Sequence, residues 1–100
     1  MWRLMKRAGL TPTPQFEFRD DSGQPGHIDF AFPKESLAIE CDGFASHGDR
    51  EAFENDRMRM QRLVALGWRV FPVTWRHLEE QPRHVVERIR EALKLRVSIG

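Results

Sequence analysis

Long apolar runs are missing from this chain: none reaches the roughly 18 consecutive residues that begin to span a bilayer. Cysteine is almost absent, with Cys41 alone in 100 residues. A single cysteine excludes an internal disulfide and any zinc site built on two or four cysteines. Neither charge dominates, because 16 basic and 15 acidic residues leave a net charge of +1. That is far from the strongly basic balance that would by itself announce nucleic-acid binding. A DNA partner would therefore require positive charge gathered on one face. Repeats and low-complexity segments are missing too, and the opening MWRLMKRAGL has neither the apolar core nor the cleavage site of a secretory signal. These absences lead to the expectation of a cytoplasmic protein without a membrane span.

What is present describes a globular chain. Forty per cent apolar and 31% charged residues suit a folded domain, and 100 residues suit one domain with one core. Residues 2–9 read as a short helix stopped by Gly9, Pro12 and Pro14. Phe16–Arg19 alternates like a strand and runs into the turn Asp20–Gly23. Strands follow at His27–Phe32 and Leu37–Asp42, with Pro33–Ser36 as the loop between them. Asp49 to about Leu66 has helical spacing, an apolar stripe of Phe53, Met60, Leu63 and Val64, and a stop at Gly67. Trp68–Val73 reads as a strand, and Pro82 to about Leu95 as an amphipathic helix. The order predicts an α/β domain with a mixed sheet flanked by helices.

The segment His27–Asp42 is the most informative. With a four-residue loop at Pro33–Ser36, paired residue numbers sum to 69. One face then carries Ile28/Cys41, Phe30/Ile39 and Phe32/Leu37, and the other His27/Asp42, Asp29/Glu40 and Ala31/Ala38. A slip of one residue would mix the two sets, so the hydrophobic pattern selects this register. Asp29 and Glu40 then stand opposite each other, with Cβ atoms about 5 Å apart, and Asp42 lies beside Glu40 on the same face. Like charges so placed repel unless a cation compensates them, and a cluster of hard oxygen ligands suits Mg²⁺. Either this face is solvated and the acids merely solubilise it, or a helix covers it and the acids form a site. Ala31 and Ala38 on that face point to the second.

Past Asp42, Gly43 allows a sharp turn, and His47 follows on the loop, where it is either an ordinary loop histidine or a general base. On the next helix Asp56 falls on the apolar stripe, either as half of an internal ion pair or in support of the acids. Arg50, Arg57 and Arg59 belong either to a solvated face or to a phosphate-binding one. Trp68 and Trp75 read as packing residues, and His77 and His84 have no ligand spacing.

Asp29, followed by Glu40-Cys41-Asp42, resembles the PD-(D/E)XK nuclease motif. With Gly43, His47, Asn55-Asp56-Arg57 and the run Leu63 to Val70, nearly the whole chain is similar to very-short-patch repair (Vsr) endonucleases and their bacterial relatives. The resemblance implies a restriction-endonuclease-like αβββαβ(α) core and Mg²⁺-dependent cleavage of DNA, with Mn²⁺ able to substitute. It implies Asp29 and Glu40 as metal ligands, with His47 as base and Asp56 as a supporting acid; Asp42, beside Glu40 on the same face, is expected to join the ligands. Three departures stand out. Asp42 occupies the place of the motif's lysine, the repair enzymes' zinc-site cysteines and histidines are missing, and the first helix offers no acid. The expectation is a DNA endonuclease, active as a homodimer if it cuts both strands, in a domain of the kind often fused to the end of a longer chain. The alternative is a catalytically weak DNA-binding module of a defence or toxin–antitoxin-type system.

Overall fold

Among the described residues, alternating and β-rich segments pair into one four-stranded sheet whose strands lie side by side in chain order. The computed structural model describes residues 1–42 and 50–95. Its elements are α1 (Trp2–Arg7), β1 (Thr13–Arg19), β2 (Pro25–Phe32), β3 (Leu37–Asp42), α2 (Arg50–Ala65), β4 (Arg69–Thr74), α3 (Trp75–Glu80) and α4 (Pro82–Lys94). The first three strands form an antiparallel meander, and β4 lies parallel to β3. Parallel neighbours need a crossover, and α2 supplies it. The result is the mixed sheet with flanking helices expected from the sequence, a restriction-endonuclease-like core.

Apolar side chains cover the sheet on both faces. Met5 of α1 and Val85 and Ile89 of α4 bury Phe32, Leu37, Ile39 and Val73 on one side. On the other, Leu63 of α2 packs on Phe18, Ile28, Ala31 and Ala38. Each fully buried aliphatic side chain of this kind contributes roughly 1.5–3 kcal/mol. The α2 stripe differs from expectation in one member, because Val64 is 60% exposed. Leu63 and Leu66 face the sheet, and Val64 sits about 100° round the helix from its neighbour. The Phe53 side chain, also assigned to the stripe, lies outside the described residues.

The β2–β3 register is the expected one over Phe30↔Ile39, Ala31↔Ala38 and Phe32↔Leu37. A 3-10 turn at Pro33–Glu35 and a left-handed Ser36 close the loop. Ile28 departs from the expectation: it packs with Ala31 and Ala38 instead of sharing a face with Phe30 and Phe32. The cause is a break in alternation where β1 meets β2. Pairs on either side of the break sum to 44, but Gln15 and Asp29, which that sum sets opposite each other, are missing from the ladder. Gln15 has φ +49°, a conformation uncommon for a side-chain-bearing residue.

Helix ends follow local chemistry. Gly67, at φ +95°, ends α2, with Gly67 N–H on the Val64 carbonyl and Trp68 N–H on the Leu63 carbonyl. That is the Schellman pattern, which favours glycine at the left-handed position. The sequence reading did not include α3. Thr74 starts it, its Oγ1 accepting from His77 N–H at 3.1 Å. Trp75 consequently lies 44% exposed on α3, whereas Trp68 packs against Phe16 with ring centroids 5.5 Å apart.

One polar clamp ties the β1–β2 turn to α2. Asp20 Oδ1 accepts from Ser22 Oγ, Ser22 N–H and Gln24 N–H, while Arg62 Nε donates to Asp20 Oδ2 at 2.8 Å and Nη2 to the Gln24 carbonyl at 2.7 Å. These donors, the Ser22 hydroxyl foremost, hold the Asp20 carboxyl at about 2. A carboxyl lowered by folding stabilises the fold above its unfolded value near 3.8 and loses that contribution as pH falls through about 2. Arg62→Ala is expected to lower the urea midpoint at neutral pH, with a gap from wild type that closes in acid. Equal gaps at neutral and acid pH would show that Arg62 acts only by packing over the Phe18 ring, 5.2 Å from its centroid.

Candidate active site

Glu40 is the only charged side chain in the buried core of the described residues, 1% exposed in the middle strand pair of the sheet. Regular alternation along β3 turns Leu37 and Ile39 toward α1 and α4, and Ala38 and Glu40 toward α2. Burial of a carboxylate without a partner is costly, and α2 supplies one. Arg59 Nη2 reaches Glu40 Oε2 at 2.8 Å and also bonds Asp56 Oδ1, while Nη1 donates to the His27 carbonyl at 3.2 Å. Arg59 lies one turn before Leu63 on the same face of α2, so the packing of Leu63 on the sheet carries the guanidinium to Glu40.

The second oxygen, Glu40 Oε1, is buried and meets no donor among the described residues. The Asp29 carboxyl is a close neighbour of the Glu40 carboxyl, and both its charge and its contact favour the protonated form of Glu40. Asp29 owes this position to the ladder break. It has no strand partner opposite, and its Oδ2 accepts the Cys41 N–H at 2.9 Å in the place of a strand carbonyl. Two neighbouring carboxylates resist carrying two negative charges, and a proton or a cation relieves that repulsion. Burial first, then the Asp29 and Asp56 charges and the contact with Asp29, raises the Glu40 carboxyl to about 8 against the opposing pull of Arg59.

The structure thus brings Asp29, Glu40, Asp56 and Arg59 together. Asp42 pairs with Thr74 at the end of β3, but its side chain and all of His47 lie outside the described residues. Arg50 and Arg57 are exposed along α2, and the Arg57 guanidinium approaches the Met60 sulfur at 3.8 Å. Asp29 and Glu40 offer two oxygen donors to a divalent cation, the orphaned Oε1 among them. No group of three or more candidate ligand side chains occurs among the described residues. The sequence reading did not foresee the bond between Arg59 and Glu40. Its signal was the spacing of Asp56, Arg59 and Leu63, which sets an acid, a cation and a core residue on one helical face.

The family REase_MTES_1575, a restriction-endonuclease-like family, matches residues 2–93. Two Mycobacterium tuberculosis proteins are each 27% identical over 82 residues: uncharacterized protein MT2308 of strain CDC 1551 / Oshkosh and uncharacterized protein Rv2248 of strain ATCC 25618 / H37Rv. That stretch is 82% of this chain and 30% of each relative, so the chain spans under a third of their length. No solved structure matches. No helix among the described residues is long and apolar enough to cross a membrane.

Proposed function

The chain belongs to the restriction-endonuclease-like family REase_MTES_1575, and from that premise we propose that it is a Mg²⁺-dependent DNA endonuclease. The observation that carries the reading is the buried Glu40 carboxyl beside Asp29, with its Oε1 lacking a donor among the described residues. Asp29 and Glu40 are the ligands, with Asp42 completing the set and Mn²⁺ able to replace Mg²⁺. When bound there, the cation would lower the pKa of a coordinated water and offset charge on the phosphoryl oxygens.

The chain's own groups do the positioning. The Cys41 N–H fixes one oxygen of Asp29. Arg59, held by Asp56 and the His27 carbonyl, fixes one oxygen of Glu40 and leaves the other free. Its guanidinium brings positive charge beside the acids, which supports a role for Arg59 in place of the motif's lysine, where this chain has Asp42. Such a role displaces Arg59 from the phosphate contacts and leaves Arg50 and Arg57 in them. His47 is the base that takes the water's proton. Cutting both strands would take two copies, and a repair role follows from the likeness to very-short-patch enzymes.

The test is supercoiled plasmid incubated with Mg²⁺ or Mn²⁺, beside EDTA and the variants Asp29→Asn and Glu40→Gln. Metal-dependent nicking is expected, lost by at least about a hundredfold in each variant. An intact plasmid in every lane would favour the second reading, a DNA-binding module of a defence system. Asp42 in the lysine position is the feature that favours it.

A further inference from the structure

Positive charge in this chain is unevenly placed in a way its net value hides. Residues 1–16 hold Arg3, Lys6 and Arg7 and no acid, whereas the rest of the chain holds more acids than bases. In the fold these three cations are all exposed on α1, at helical spacing i, i+3 and i+4, so they share one outward face. The opposite face is anchored by Met5, fully buried among Phe32, Leu37, Ile39 and Ile89. None of the three makes an ion pair among the described residues. By contrast Arg19, Arg59, Arg62, Arg76, Arg88 and Arg90 are each bonded to an acid.

The start of α1 packs on the two strands that carry the acids, on the sheet face opposite to Glu40. The Met1 sulfur is 3.3 Å from Cys41 Sγ, one residue from Glu40. The Trp2 ring stacks on Phe30, one residue from Asp29, with centroids 6.3 Å apart and planes at 13°. Lys6 is steadied over the Trp2 ring, its Nζ 5.4 Å from the centroid. Six helical residues extend about 9 Å, a length over which a DNA strand presents two or three phosphates.

We propose that the outward face of α1 is a DNA backbone-binding surface, with Arg3, Lys6 and Arg7 on consecutive phosphates of one strand. Trp2, held by Phe30, positions Lys6 for this and reads no base. Contacts of this kind are independent of sequence and sensitive to salt. The choice of DNA as partner rests on the nuclease reading, but the binding itself is tested without cleavage.

The experiment is fluorescence anisotropy of a short labelled DNA duplex in EDTA and again in Ca²⁺, across about 50 to 200 mM salt. The full chain is compared with Arg3→Gln/Lys6→Gln/Arg7→Gln and with Arg3→Lys/Arg7→Lys. The triple variant is expected to bind at least tenfold more weakly at low salt, with a salt slope shallower by about 2 to 3. The lysine variant keeps its charge and is expected to retain most of the slope. Arg76→Gln/Arg88→Gln, on α3 and α4, is expected to bind as wild type does. A triple variant with the wild-type slope and a native circular dichroism spectrum overturns the proposal, as does a wild type that binds no DNA in either medium. Wild-type binding that the triple variant loses, without plasmid nicking in Mg²⁺ or Mn²⁺, upholds the α1 surface and removes the nuclease reading.

Discussion

Glu40→Gln is expected to raise the thermal midpoint of the metal-free protein by on the order of 10 °C at about pH 8 to 9. Folding lifts the Glu40 carboxyl from an ordinary 4.5 to about 8. Between those values the folded chain holds a proton that the unfolded chain has released. Stability therefore falls as pH rises through the window and levels off above about 8. Glutamine has no proton to lose, so the variant's stability stays flat in the window where that of wild type declines. Its amide can accept from Arg59 and donate toward Asp29, which satisfies the atom that Glu40 leaves orphaned. A difference of a few kcal/mol at alkaline pH is the expected scale. The measurement is thermal unfolding from about pH 5 to 9 with and without Mg²⁺. Mg²⁺ should raise the wild-type midpoint at the alkaline end, by the binding free energy it adds to the folded state, and leave the variant unmoved. Parallel pH profiles for the two proteins would mean that Glu40 behaves as a solvated acid.

Arg59→Ala is expected to destabilise the protein by about 3 kcal/mol at alkaline pH, the scale for removing one partner of a buried ion pair. Arg59 pulls the Glu40 carboxyl down against burial and two neighbouring acids. Without it the carboxyl stays protonated to higher pH, so the loss grows as pH rises and is smallest near pH 5 to 6, where Glu40 is neutral in both proteins. Asp56 also loses the guanidinium, but at 33% exposure water replaces much of that bond. Urea denaturation of both single variants and of Arg59→Ala/Glu40→Gln closes a double-mutant cycle. The double variant should recover most of the stability that Arg59→Ala alone removes. A cost unchanged by pH and additive with Glu40→Gln would assign Arg59 a packing role.

The element order and the β2–β3 register were legible because they depend on short-range pattern. Phe30, Phe32, Leu37 and Ile39 alternate with small or polar residues, and only one alignment buries all four on one side. Gly67 marked the end of α2 for an equally local reason, since the chain there needs a positive φ. The same alternation misplaced Ile28, because the left-handed Gln15 across the ladder turned the strand pair over at Asp29. A conformation imposed by the neighbouring strand leaves no trace in the periodicity of β2. The short helix α3 was missed although Thr74 signals its start, since six residues carry too little amphipathic pattern to show.

The composition by itself determined that any basic surface had to be local, and the run of residues 1–16 without an acid already held it. That Asp29 and Glu40 lie close was expected from sequence, through the loop length and the apolar pairs. The ladder stops at Phe30↔Ile39, however, and the break at Asp29 decides how the two acids meet. Only the tertiary structure decided what stands beside them. Helical spacing says which residues share a face with Leu63, but not what that face meets. It took the docking of α2 on β3 to bring Arg59, and not Arg50 or Arg57, to the buried carboxyl. Burial and ion pairing depend on where two distant segments land, and no pattern within either segment encodes that distance.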